Sequence, residues 1–166
     1  IELTELSNGE KVDSRIYPAL QQMFDDMRAD GIYPVVVSGY RTDQEQQQIL
    51  DDKIESYRQE GYSDADASAL AQDWVAIPGT SEHQTGLAVD IIASEYEGLD
   101  DRQGETDEQK WLMEHCWEYG FILRYPPEKV DITGIIYEPW HYRYVGKTAA
   151  EEIMKKNLTL EEYLLQ

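Results

Sequence analysis

Apolar residues recur along this chain with two spacings, and the change from one to the other marks its elements. From Ser14 to Ala29, residues Ile16, Leu20, Met23 and Met27 fall on one face of a 3.6-residue period, and Gly31 just beyond supplies a stop. Tyr33-Pro34-Val35-Val36-Val37-Ser38 then switches to a β-branched run, which reads as a buried strand. Thr42 with Glu45 three residues on forms a capping box, so a helix starts there and turns Ile49, Leu50 and Ile54 inward. An Ala-rich helix is predicted from Ser63 to Trp74, with Asp66 three residues after its cap.

Past a loop over Ile77-Pro78-Gly79-Thr80-Ser81-Glu82, the stretch Gly86–Ile92 reads as a strand. Residues 94–105 are acidic and contain glycine, the pattern of a mobile loop. Thr106 with Gln109 caps a helix that packs Trp111, Leu112, Cys116 and Tyr119 and stops at Gly120. Phe121–Tyr125 is a strand broken by Pro126-Pro127. Ile135-Ile136-Tyr137 and Trp140–Val145 are predicted strands joined through Glu138-Pro139. Thr159 and Glu162 form a second capping box in a helical C-terminal region. Strands lie between unequal helices with neither a regular βαβ rhythm nor a glycine-rich phosphate loop. The pattern predicts an α+β fold with a small, largely antiparallel central sheet. At 166 residues the length fits one domain, 1–166.

Charge narrows the function classes. The chain carries 34 acidic and 14 basic residues, a net charge of −20, which argues against nucleic acid and against adhesion to an anionic bilayer. A soluble surface kept apart by like charge is the plain reading. No apolar stretch reaches the length of a membrane span. Cys116 is the only cysteine, so no intramolecular disulfide forms, and its helical apolar setting marks it as a small core residue. A lone cysteine fits a cytosolic address, and equally the envelope of a bacterium that rarely uses disulfides. The start at Ile1 reads as a trimmed or mature form, compatible with a signal or anchor upstream.

The chain has three histidines, each of which can be weighed alone. His83 stands in a loop before a strand, Asp90 seven residues later within that strand, and His141 follows Glu138-Pro139-Trp140. Two imidazoles and a carboxylate are ordinary zinc ligands. Asp90 interrupts Leu87-Ala88-Val89 and Ile91-Ile92, where an unpaired carboxylate is costly, so it calls for either a metal ion or an arginine partner. Glu138 and His141 sit three apart and point to opposite faces of an extended segment, so a bend at Pro139 must re-aim one for both to face one ion. Glu138 then serves either as a general base or as a salt-bridge partner of Arg124 or Arg143. Arg41 has the chemistry to grip a terminal carboxylate, or to pair with one of the many acids. Gln46 and Ser81 are further hydrogen-bonding candidates, or an exposed polar residue and a cap. His115, beside Cys116, lacks an acid or second ligand at metal spacing and reads as structural or surface.

Three ordered blocks, Ser38-Gly39-Tyr40-Arg41-Thr42, Ser81-Glu82-His83-Gln84-Thr85-Gly86-Leu87-Ala88-Val89-Asp90 and Glu138-Pro139-Trp140-His141-Tyr142-Arg143-Tyr144-Val145-Gly146, closely resemble the VanY-type D-alanyl-D-alanine carboxypeptidases. Tyr119–Pro126 and Asp131-Ile132-Thr133-Gly134 add to the likeness, which runs from about Arg15 to the end. The family groups with VanX dipeptidases, VanXY enzymes and L,D-carboxypeptidases such as LdcB. The resemblance implies the Hedgehog/DD-peptidase fold and one zinc ion held by His83, Asp90 and His141. It also implies a zinc-bound water activated by Glu138, with Arg41 polarising or anchoring the substrate, and Gln46, Ser81 and Tyr125 as substrate contacts. Trp140 and Tyr142 are read as packing the peptide or the core. The substrate implied is a peptidoglycan stem peptide or its precursor, losing a C-terminal D-alanine. L,D-carboxypeptidase and D-Ala-D-Ala dipeptidase activities are alternatives, as is a non-catalytic Hedgehog-like zinc module. The helices between Arg41 and His83, and the 94–105 loop, are candidate lids. The implied address is the bacterial cell envelope or its extracellular face, with the cytoplasm as alternative. Oligomeric state is not legible.

Overall fold

In the computed structural model, which describes residues 1–166, the chain opens on a hairpin in which β1 (Leu3–Glu5) pairs antiparallel with β2 (Lys11–Asp13). α1 (Tyr17–Ala29) starts at Tyr17 rather than Ser14, with a proline in its first turn, where the missing N–H breaks no helical bond. β3 (Pro34–Ser38), α2 (Asp43–Gln59) and α3 (Asp64–Gln72) follow. Both reciprocal bonds of the Thr42/Glu45 box are present, and the Ser63 hydroxyl accepts from the Asp66 amide. Then come β4 (Ala88–Ala93), α4 (Asp107–His115), β5 (Phe121–Leu123) and α5 (Val130–Thr133). β6 (His141–Tyr144), α6 (Lys147–Lys156) and α7 (Leu160–Leu164) complete the order, with the Thr159/Glu162 box opening α7. No helix is long and apolar enough to cross a membrane.

The main sheet runs β3-β4-β6-β5 with every pair antiparallel, as expected for a small α+β sheet. Alternation along β4 explains its mixed sequence. Val89 and Ile91 enter the core with Val36, Phe121 and Tyr142, against Leu20, Met23 and Met27 of α1 and Leu112 and Cys116. Asp90, between them, projects to the opposite face. Tyr142 is wholly buried and donates its hydroxyl to Gln109 Oε1 at 2.7 Å, so of the two aromatics flanking His141 it belongs to the core.

Two expectations are corrected. Ile135-Ile136-Tyr137 forms no strand. The Ile135 amide donates to Thr133 Oγ1 and the Ile136 amide to the Asp73 carbonyl, because β6 is already paired on both sides and offers no edge. The 94–105 stretch is tethered. Gln103 is fully buried; its amide oxygen accepts from the Ala93 N–H at 2.8 Å, and its NH₂ donates to the Tyr96 and Gly98 carbonyls at 2.9 Å.

The hairpin reaches the loops that carry the candidate chemistry. Tyr40 N–H donates to the Lys11 carbonyl at 2.6 Å, Gly39 N–H to Glu10 Oε1 at 2.9 Å, and Asp13 N–H to the Gly86 carbonyl at 2.9 Å. A Cβ at Gly39 would overlap the Lys11 carbonyl oxygen, a backbone atom with no rotamer to move. Gly39→Ala is therefore expected to cost about 1–3 kcal/mol, the usual penalty for overpacking. In urea unfolding the midpoint should fall while the slope is kept. A wild-type midpoint would show that the hairpin is free to give way.

Candidate active site

Strand register assembles the site. Ser38 is the β-sheet partner of Asp90, and Asp90 is the partner of His141, so the three form a row across β3, β4 and β6. Directly opposed residues on antiparallel strands project to the same side. The register between β3 and β4 shifts between Val36 and Ser38, an irregularity that redirects the end of β3 where Arg41 begins its turn. His83 comes from a 3-10 turn, Glu82–Thr85. The Ser81 hydroxyl caps it by accepting from His83 N–H at 3.3 Å, and Gly86 ends it in the left-handed region at φ 75. Arg41 N–H donates to the His83 carbonyl at 3.1 Å, which ties the two loops.

One ligand-capable atom from each of His83, Asp90 and His141 lies within 4.8 Å of the others, and all three residues are buried. Their remaining atoms are engaged elsewhere. His83 Nδ1 lies 2.8 Å from the Gly39 carbonyl oxygen, an acceptor only, so Nδ1 carries the proton and Nε2 keeps its lone pair. His141 Nε2 lies 3.2 Å from Glu82 Oε1, which likewise assigns the proton to Nε2 and leaves Nδ1 free. Asp90 Oδ2 accepts from Arg41 Nη2 at 3.1 Å, leaving Oδ1 at 3.2 Å from both His83 Nε2 and His141 Nδ1. Three acceptors thus face one another across a buried point, a donor set that fits a divalent ion such as zinc. The electrostatics agree. Although burial opposes its charge, the carboxylates of Asp90 and Glu82 push His141 up to about 9, so without a metal a proton takes the cation's place. The metal-or-arginine choice at Asp90 resolves into one oxygen for the arginine and one left over.

Glu138 is buried and opens on the same cavity. The bend expected at Pro139 is a turn in which His141 N–H donates to the Glu138 carbonyl at 3.2 Å, while Glu138 N–H donates to the Tyr125 carbonyl at 3.1 Å. No protein group hydrogen-bonds the Glu138 carboxylate. Burial pushes it up to about 8, with His141 pulling it down and Asp90 pushing it further up. Its supposed partners Arg124 and Arg143 both go to Glu82 instead, at 2.7 and 2.8 Å. Glu82 is thus the residue that sequence reasoning missed. It sits between Ser81 and His83 with no local signal of its own, and its partners lie 42, 59 and 61 positions away, beyond any local pattern.

Arg41 is held on three sides. Its Nε donates to Ser38 Oγ at 2.9 Å, Nη1 to Gln46 Oε1 at 3.1 Å and Nη2 to Asp90. A guanidinium has five N–H donors, so one on each terminal nitrogen is unused. Gln46 in turn donates to the Ala76 carbonyl at 2.8 Å, which makes it a clamp on Arg41. The cavity, about 210 Å³, is lined by Arg41, Gln46, Ser81, Tyr125 and the metal-ligand candidates, so every expected site residue meets there. Both candidate lids also contribute, the first through Lys53 and Trp74, the second through Leu99. Trp140 lines the wall too, stacked on Trp74 at 6.5 Å between centroids. His115 lies apart, its Nδ1 2.7 Å from Glu118 Oε2 at the surface.

Comparison with known proteins adds a second line. The family profile described as VanY, D-alanyl-D-alanine carboxypeptidase, matches residues 9–147. An Enterococcus faecalis protein described as a D-alanyl-D-alanine carboxypeptidase is 55% identical over 164 residues, which is 99% of this chain and 59% of that protein. The chain therefore spans well under two thirds of that relative's length. A crystal structure of a vancomycin-resistance D,D-pentapeptidase VanY, a Glu-to-Ala mutant in complex with Zn(II), superposes with a TM-score of 0.91 at 54% identity, covering 99% of this chain and 89% of that one. A VanYB structure in complex with D-alanine-D-alanine gives 0.93 at 53% identity, covering 100% and 89%.

Proposed function

This chain belongs to the VanY family of D-alanyl-D-alanine carboxypeptidases, and from that premise we propose that it is a zinc peptidase removing the C-terminal D-alanine from peptidoglycan stem peptides. The observation that carries the proposal is the convergence of three ligand-capable atoms, His83 Nε2, Asp90 Oδ1 and His141 Nδ1, bonded to nothing but one another, beside a carboxylate that no protein group engages. His83, Asp90 and His141 would hold the metal. Zinc, when bound, supplies a Lewis acid that polarises a carbonyl and lowers the pKa of a coordinated water to about 7.

The chain's own residues do the rest. Of the two glutamates at the site, Glu82 has both oxygens committed, to His141 and to two arginines, whereas Glu138 is free. Glu138 is therefore the proton carrier: it takes the proton of the attacking water and returns it to the leaving amine. The two unused N–H groups of Arg41 grip the substrate's terminal carboxylate, which makes the enzyme an exopeptidase. Ser81 and Tyr125 line the path of the peptide, and Gln46 acts by aiming Arg41. A stem-peptide substrate implies work at the bacterial cell envelope. The relative solved with D-alanine-D-alanine supports D,D over L,D specificity.

The test is mass spectrometry of three synthetic substrates incubated with zinc-loaded protein. They are a pentapeptide ending D-Ala-D-Ala, a tetrapeptide with a single C-terminal D-Ala, and free D-Ala-D-Ala. Chelator-sensitive loss of one alanine from the pentapeptide is the expected result. Loss only from the tetrapeptide would make this an L,D enzyme, and cleavage of the dipeptide would add dipeptidase activity. Binding of all three without any release would favour a non-catalytic zinc module.

A further inference from the structure

Behind His141 stands a chain of charges that the proposed chemistry does not use. Glu82 Oε1 meets His141 Nε2 at 3.2 Å, while Glu82 Oε2 accepts from Arg124 Nε at 2.7 Å and from Arg143 Nη1 at 2.8 Å. Arg124 continues the chain with a two-pronged contact, Nη1 to Glu161 Oε1 at 2.7 Å and Nη2 to Glu161 Oε2 at 2.9 Å. Glu161 belongs to α7, whose start is fixed by the Thr159/Glu162 capping box. The side chains of His141, Arg124 and Glu82 are 6%, 10% and 12% exposed, so the inner links are screened little by solvent. The Arg124 guanidinium also lies 4.9 Å from the Tyr125 ring centroid, and that ring lies 4.9 Å from the His141 ring, so the same arginine supports the imidazole from a second side.

Buried ion pairs seldom stabilise a fold more than well-packed apolar residues would. A network of two carboxylates and two guanidiniums at this place is better explained by the geometry it imposes. A carboxylate accepting from Nε2–H keeps the lone pair on Nδ1, facing Asp90, and stops the ring from turning. We propose that Glu82, locked by Arg124 and Glu161, is a positioning residue that fixes the tautomer and ring orientation of His141 for metal binding, so that α7 reaches the metal centre through one arginine. This rests on reading His83, Asp90 and His141 as the zinc ligands.

The test measures zinc affinity by competition with a chromophoric chelator, and the visible spectrum of the cobalt(II)-substituted protein, for wild type and three variants. Glu82→Gln should weaken zinc binding by about 10–100-fold, the range for loss of a carboxylate behind a ligating histidine, and shift the cobalt bands. Glu161→Gln touches no ligand and leaves Glu82 in place, yet it reduces the two-pronged ion pair on Arg124 to at most one neutral hydrogen bond and should weaken zinc binding in the same direction by less. Glu162→Gln removes the negative charge at the start of α7 and its ion pair with Lys129, while the glutamine oxygen can still accept from the Thr159 N–H. It should lower the melting temperature while leaving zinc affinity and cobalt spectrum at wild-type values.

Wild-type affinity and spectrum in both Glu82→Gln and Glu161→Gln would overturn the positioning role. If Glu82→Gln does not fold, Glu161→Gln decides alone, its zinc affinity measured against Glu162→Gln. Weakening by Glu162→Gln equal to that by Glu161→Gln would reduce the effect to helix stability and overturn the inference. Failure of the wild-type protein to bind zinc at all would instead overturn the reading of the three ligands.

Discussion

Replacing Glu138 with glutamine is expected to lower kcat by about 10²–10⁴-fold, the contribution typical of a positioned general base, while zinc remains bound and KM changes little. The side chain is isosteric, and Glu138 is not one of the three converging ligand candidates, so the metal has no reason to leave. Stability should move the other way from activity. In the metal-free protein burial holds the Glu138 carboxyl up to about 8 against an ordinary 4.5, so the folded state prefers the protonated form. The cost of ionising it is absent well below pH 4.5, where both states are protonated, and grows as pH rises toward 8. Glutamine carries no such cost. Metal-free Glu138→Gln should therefore unfold at a melting temperature equal to wild type at low pH and above it at pH 8. A variant that keeps its turnover would remove Glu138 from the mechanism. One that loses zinc together with turnover would recast it as part of the metal site.

That contrast separates what local sequence encodes from what only the folded chain supplies. The capping boxes at Thr42/Glu45 and Thr159/Glu162 are satisfied within one turn of backbone, so the helix starts they announce appear where expected. The interruption of an apolar strand by Asp90 was legible for a similar reason: alternation decides which face a residue takes before any partner is known. The run Ile135-Ile136-Tyr137 carries the same β-branched signal as β3, yet whether such a run joins a sheet depends on a free edge, and none exists beside β6. Asn8-Gly9, between Leu6 and Glu10, was a readable turn signal for the N-terminal hairpin, with Gly9 at φ 92. The strands it joins are only Leu3–Glu5 and Lys11–Asp13, too short for alternation to show. Glu82 is the opposite case. Its neighbours in sequence are ligand and cap, and its meaning comes entirely from Arg124, Arg143 and His141, brought together by strands β5 and β6.

Arg41→Lys should reduce kcat/KM by about 10²–10³-fold, the loss typical when one preorganised donor to a developing or fixed anion is removed. Lysine keeps the charge but not the fork. The guanidinium uses one N–H on each terminal nitrogen to reach Gln46 and Asp90, and the second N–H of each is what remains for substrate. An ammonium placed there must give up either its protein partners or its ligand. Arg41 has two ways to matter, by gripping the terminal carboxylate or by steadying charge at the reacting carbonyl, and a double-mutant cycle separates them. The second change is made in the substrate, as amidation of the C-terminal carboxylate. If Arg41 grips that carboxylate, amidation should cost wild type about as much as Arg41→Lys does, and cost the variant little further. If Arg41 acts only on the oxyanion, the two losses should multiply. The clamp around it favours the first outcome. Ser38 and Gln46 hold the guanidinium at the end of β3, and Asp90 fixes it relative to the metal site. If Arg41 is the anion grip, its distance from the attacked carbonyl is set by the same strand register that aligns Asp90 with His141. Such a fixed span would select one residue beyond the scissile bond, the defining property of a carboxypeptidase.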